Sequence, residues 1–245
     1  MNFKTALITA SILAAFSSPA LSAGFSVSPM LVDVASAGKN KSTSIEVVND
    51  NAEPLKLELN ASAWKQVNNK DEYSDTEDLQ FFPKVFEVKP GGKQTVKVIY
   101  KGKAPLEADA AYRLFFSEIK PPLKKDENQA GAVVQFAFRI GAGVFVAQDF
   151  KRNDAMSSSV KTTTEGTELT IKNEGNVRYA PTQSKIKFVK DGAEKTIDGP
   201  PTWHILPASE KQYILKDVSC ADLTNAKLVL DTTPERVLPI TANCK

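Results

Sequence analysis

The sequence predicts an all-β protein folded as two β-sandwich domains, and three observations carry that expectation. Apolar residues recur at every second position in run after run, most plainly at Val134, Phe136, Phe138 and Ile140 between Gly131 and Asp149, and an extended chain places such residues on one face. The runs are short and are punctuated by proline, glycine and asparagine clusters, with no convincing helical period between them. About 220 residues remain after an N-terminal leader, too many for one small sandwich and enough for two domains of roughly 110 each.

The leader is read from residues 1–22. Lys4 opens it, Thr5 to Phe16 is an apolar run too short to span a bilayer, and Ala20 and Ser22 supply the small residues of an export cleavage site. The mature chain is therefore expected outside the cytoplasm, which in a two-membrane bacterium is the periplasm. Lys4 is the leader's only charge, so 31 basic residues against 29 acidic become 30 against 29. A near-neutral chain of this kind argues against a nucleic-acid partner, which calls for a strongly basic face. Cys220 and Cys244 are the only cysteines, and in an oxidising compartment they are expected to form a structural disulfide.

Taken in order, Phe25 to Val34 alternates imperfectly around Pro29, which suits an edge strand or one that bends where it changes sheet. Ser42 to Val48 is a cleaner strand ended by Asn49-Asp50-Asn51, and Leu55 to Trp64 alternates again. Val67 to Glu77 is polar and rich in Asp and Asn, and reads as a loop. Val85 and Val88 flank a short strand closed by Pro90-Gly91-Gly92, and Thr95 to Tyr100 forms the next. Ala111 to Lys120 follows, ending at Pro121-Pro122, with a polar connection from Leu123 to Gln129. Seven strands at this spacing fit an immunoglobulin-like sandwich. The long stretch comes last. Its second face carries Gln135, Ala137, Arg139, Gly141 and Gly143, and eight or more residues at about 3.3 Å each make a rod of roughly 26 Å. Two readings stay open for it: a central strand of its own sandwich, or an edge strand whose apolar row completes another protein's fold.

The first domain is expected at 23–150, with a polar linker from Lys151 to Ser159 opening a smaller second domain at 151–245. Its strands are expected at Glu168 to Lys172, Tyr179 to Val189, Glu194 to Ile197, Gln212 to Leu215, Leu228 to Leu230 and Val237 to Thr241. No tandem repeat relates the halves.

The residues argue against an enzyme. The single histidine, His204, sits between proline turns and reads as a packing residue beside Trp203. One histidine and two cysteines do not make a metal site. No nucleophile elbow, zinc-protease motif or phosphate-binding glycine loop is present. Glu77-Asp78 and Asp126-Glu127 are neighbours on one loop and cannot flank a scissile bond.

In this order the motifs resemble the periplasmic pilus chaperones of the chaperone–usher pathway. The resemblance rests on the strand ended by Asn49-Asp50-Asn51, on Phe81, Pro83, Pro90, Gly91, Val96 and Lys97, on Tyr112 to Ile119, on the proline-led loop, and on the long alternating strand. It implies two immunoglobulin-like β-sandwich domains at an angle, with the last strand of the first exposed at the cleft between them. By the same resemblance Val134, Phe136 and Phe138, with Ile140 continuing the row, are lent to a pilus subunit that lacks its final strand. An outer-membrane usher then receives the subunit, and no cofactor or nucleotide is needed.

The family also anchors the subunit's C-terminal carboxylate on two basic residues. No basic residue occurs from Ser26 to Asp33, and Gly141 or Gly143 falls where a long-strand lysine would stand, so the match is closer to the archaic and alternative branches. Arg113 and Arg139 are left as the anchor; the other reading makes either one part of an internal ion pair, for instance with Glu118. An unliganded edge this apolar also points to a self-capped dimer. Two other functions stay open: a structural pilus subunit or adhesin, and a secreted two-domain binding protein.

Overall fold

The computed structural model describes residues 24–122, 134–149, 151–201 and 204–244. The predicted leader, the Leu123 to Gln129 connection and Trp203 lie outside the described residues. Ten strands come first: β1 (Phe25–Ser28), β2 (Leu31–Ala35), β3 (Ser42–Asn49), β4 (Leu55–Val67), β5 (Lys70–Asp75), β6 (Leu79–Phe82), β7 (Val85–Val88), β8 (Lys93–Tyr100), β9 (Ala110–Glu118) and β10 (Arg139–Ala147). One sheet has the order β1-β3-β8-β6, and the other runs β2-β10-β9-β4-β5 with β7 also paired to β4. Pro29, between β1 and β2, marks the place where the first strand leaves one sheet for the other. The inward rows are those the alternation names: Ile45, Val47, Val96 and Val98 from the first sheet meet Leu57, Leu114, Phe116 and Val144 from the second, all fully buried.

Seven more strands follow in one sheet system: β11 (Met156–Thr163), β12 (Gly166–Asn173), β13 (Ser184–Lys190), β14 (Ala193–Asp198), β15 (Ser209–Leu215), β16 (Lys227–Leu230) and β17 (Arg236–Asn243), ordered β14-β13-β16-β17-β11-β12-β15. Leu169, Ile171, Ile186, Leu223 and Leu228 centre a separate core. Cys220 and Cys244 are joined as a disulfide.

A shared device closes a strand in each half. Asn49 accepts the Asn51 amide on Oδ1 at 3.0 Å and donates Nδ2 to the carbonyls of Glu53 and Val88 at 2.8 and 2.9 Å. Asn173 repeats it, accepting the Gly175 amide at 3.0 Å and donating to Val177 and Ile205 at 2.8 and 3.1 Å. Both asparagines are fully buried. Each replaces three ladder or turn partners with one side chain.

Several expectations need correction; the strand expected from Tyr179 to Val189 begins only at Ser184, and Tyr179 makes an isolated bridge with Ile205. The polar stretch from Val67 to Glu77 is not a loop: β4 continues to Val67, Asn68 and Asn69 turn with φ of 49° and 64°, and β5 returns beside it. Asparagine tolerates that left-handed geometry, and all six residues of β5 are exposed, so no apolar alternation betrays the strand. The predicted linker ending at Ser159 contains the start of β11, whose buried residues Ser158 and Val160 sit between β12 and β17. The long strand is also shorter than expected, because ladder pairing begins only at Arg139.

Candidate functional site

The even-numbered row of the last strand changes character along its length. Ala142, Val144 and Val146 are buried in the sandwich, and Ile140 is half-buried against the same core. Phe138, Phe136 and Val134 continue the row beyond the ladder with 45%, 72% and 71% of their surface exposed. The backbone edge changes at the same place. β2 covers β10 in parallel from Gly143 to Ala147, whereas among the described residues Arg139 to Ala142 are paired by β9 on one side alone. An apolar row and an unpaired strand edge thus emerge together, which is the arrangement a strand-accepting partner requires. The exposed segment is tied to the end of β9: the Glu118 amide donates to the Phe138 carbonyl at 2.9 Å, and Gln135 Nε2 donates to the Pro121 carbonyl at 3.3 Å.

The odd-numbered row shares a face with the outer residues of β9 and β4. Arg113 lies opposite Gly143 and Arg139 opposite Ser117, so the two predicted anchors sit on neighbouring strands but four residues apart, with the Phe115 and Gly141 pair between them. Along a strand that offset is about 13 Å between backbones. Arg139 stacks over Phe115 at 3.8 Å and is exposed. Arg113 stacks over Trp64 at 4.3 Å and donates Nη1 to the Gly141 carbonyl at 3.0 Å. The Arg113 Nε and Trp64 Nε1 groups are buried, with no acceptor among the described residues. Glu118, the example partner for the alternative ion pair, is paired with Lys120. Gly141 keeps this surface open: a Cβ there would come within 3.0 Å of Phe115.

His204 is buried against Trp64 and Phe145, with ring centroids 5.8 and 4.7 Å away. The packing role read from the sequence is correct in kind, and its described aromatic neighbours come from the first half of the chain. Arg178 lies 3.7 Å over the Phe145 ring, pairs with Asp33 at 2.7 Å, and approaches His204 Nδ1 at 3.1 Å. An arginine has only donors, so Nδ1 accepts and the ring is neutral. Burial first, then the Arg178 and Arg113 charges, push the histidine down to about 4, against a smaller opposing pull from Asp71.

Sequence reasoning missed the residues that join the halves. Gln66 is buried; its Oε1 accepts the Leu206 amide and the Ser209 hydroxyl at 3.0 and 3.1 Å, and its Nε2 donates to the His204 carbonyl at 3.0 Å. Asn69, in the unpredicted hairpin, exchanges two 3.0 Å hydrogen bonds with the Gln212 backbone on β15. No local signal marks such partners, because each is made by residues about 140 positions apart.

Among the described residues no group of three or more acidic, histidine or cysteine side chains is placed to hold a metal ion, and no helix is long and apolar enough to cross a membrane. Residues 26–147 match the family described as "Pili and flagellar-assembly chaperone, PapD N-terminal domain". No curated protein sequence matches the chain at significance. Three solved structures are similar. The first is the CsuC–CsuE chaperone–tip adhesion subunit pre-assembly complex from archaic Csu pili of Acinetobacter baumannii, with TM-score 0.60 and 18% identity over 89% of this chain and 99% of that one. The second is the E. coli chaperone DraB, with TM-score 0.56 and 13% identity over 91% and 97%. The third is the Salmonella enterica SafA pilin in complex with the SafB chaperone, with TM-score 0.55 and 10% identity over 84% and 89%. At such identities the likeness carries the fold, two immunoglobulin-like β-sandwich domains. With the match over the first sandwich and the motifs along it, the chain belongs to the pilus chaperones of the chaperone–usher pathway and has a chaperone role in pilus assembly.

Proposed function

We propose that this chain acts in the periplasm by lending the row Val134, Phe136, Phe138 and Ile140 to a pilus subunit whose own sandwich lacks a strand, and that it delivers the capped subunit to an outer-membrane usher. The observation that carries the reading is the change along β10: β2 stops pairing it at Gly143, and over the next five residues the apolar row passes from buried Ala142 through half-buried Ile140 to exposed Phe138. Similar chaperones have been solved with a tip adhesion subunit and with a pilin, which supports a subunit as the occupant. Burying an apolar side chain fully contributes about 1.5–3 kcal/mol, so three exposed ones hold a partner without covalent chemistry. The role is binding rather than catalysis, and neither cofactor nor nucleotide enters it.

Arg113 and Arg139 are the proposed grip on the subunit's C-terminal carboxylate, each guanidinium stacked on an aromatic ring and of the chemistry that makes charge-assisted hydrogen bonds to carboxylates. Their placement without a lysine on the long strand fits the archaic and alternative branches. We place the boundary between the two domains near residue 150. Affinity recovery of the tagged protein from its fibre-making host, beside Arg113→Ala, Arg139→Ala and the double variant, tests the reading. A small secreted partner held by the wild type and depleted in the variants is expected; full recovery with all three removes the anchor. The free protein is expected to self-cap as a dimer, which sedimentation at high concentration checks; monomers alone would remove that element.

A further inference from the structure

We infer that Glu118 is the positioning residue that seats the donor segment, an inference that rests on the strand-lending reading above. The ladder between β9 and β10 ends at the pair Ser117 and Arg139. One step further, the Phe138 carbonyl still accepts the Glu118 backbone amide at 2.9 Å, but the Phe138 amide itself turns to the Glu118 carboxylate, 3.2 Å from Oε2. The side chain has therefore taken a place in the pairing where the regular ladder stops.

Its surroundings make this more than a surface contact. Glu118 lies on the row of β9 that includes Leu114 and Phe116, both fully buried, and its own side chain is 5% exposed. A carboxylate in that row is costly unless it is both charge-paired and hydrogen-bonded. The ammonium group of Lys120 meets the first need and the Phe138 amide the second. Gln135, three residues earlier, makes a second side-chain tie to the Pro121 carbonyl. The segment Val134 to Phe138 is thus held beside β9 by side chains although it has no ladder of its own. Presenting the row already extended spares the complex the entropy of ordering it.

The test uses the full chain with Glu118→Gln, which keeps an acceptor oxygen, and Glu118→Ala, which does not. Glu118→Met fills the space without an acceptor and replaces the alanine variant if that one does not fold. Amide hydrogen exchange on the free protein reads the seat directly, with no subunit present. The Phe138 amide should be protected in the wild type and the Gln variant and should exchange at least tenfold faster in Ala or Met, while Ala142 and Val144 stay unchanged. Affinity for the secreted partner recovered with the wild type should fall about tenfold to a hundredfold in Ala or Met and recover most of that in Gln. Unchanged Phe138 exchange in both Ala and Met overturns the inference, as does unchanged affinity, or a Gln variant as impaired as Ala. A wild type that recovers no partner removes the strand-lending reading itself; altered exchange with normal capture removes only the role of Glu118.

Discussion

Replacing Phe136 and Phe138 together with serine separates the chaperone's own stability from its hold on a partner. Full burial of a phenylalanine contributes about 1.5–3 kcal/mol. The free protein leaves 72% of Phe136 and 45% of Phe138 exposed, so roughly 3 kcal/mol of burial is still available to a subunit, a factor of about a hundred in affinity. The free protein itself has little to lose at Phe136 and about 1 kcal/mol at Phe138, where part of the ring is already covered. Urea unfolding of the isolated variant should therefore shift by about 1 kcal/mol, while titration calorimetry against the recovered subunit should show the hundredfold loss. A variant that unfolds several kcal/mol more easily would place both rings in the protein's own core. Unchanged affinity would show that the row is not what the subunit takes.

Gln66→Ala removes the hydrogen bonds to the buried Leu206 amide, the Ser209 hydroxyl and the His204 carbonyl, so the chain should lose about 2–4 kcal/mol in urea unfolding; a loss below about 0.5 kcal/mol would mean the halves are not joined there. The depressed His204 value makes the unfolded chain bind the proton first, so stability is intact above pH about 6.5 and falls as pH drops toward 4. His204→Gln should remove about 2–3 kcal/mol of that dependence, and unfolding curves across the window that keep the wild-type slope would contradict it. Replacing Cys220 and Cys244 with alanine reopens a loop with a sequence separation of 24 and should cost about 3 kcal/mol by loop-closure entropy, without altering capture; a capture defect in folded variant would show that the second sandwich contributes directly.

The all-β class, the alternating row and most strands are legible because period-2 burial writes itself into residue order. Val134 to Val146 shows one uninterrupted pattern, yet Val134, Phe136 and Phe138 are exposed while Ala142, Val144 and Val146 lie in the core. Alternation reports which side chains share a face, not which residues have a neighbour in the ladder, so the start of β10 at Arg139 is invisible to it. β5 is missed for the opposite reason: an exposed edge strand needs no apolar row, and Lys70 to Asp75 has none. The serine-rich opening of β11 hides in the same way, with Ser158 buried through a 3.0 Å hydrogen bond to the Pro239 carbonyl. The sequence marks Asn49 only as a turn former, whereas its match with Asn173 shows two sandwiches using one solution without a detectable repeat. Glu118 and Gln66 act through partners that only the folded chain brings near.

The most direct measurement places a photo-crosslinking residue at Phe136 in the host that makes the fibres and weighs the adduct by intact mass. The account predicts a single small secreted protein joined one-to-one to the chain. No adduct while fibres are being made, or an adduct only with a second copy of this chain, would contradict it.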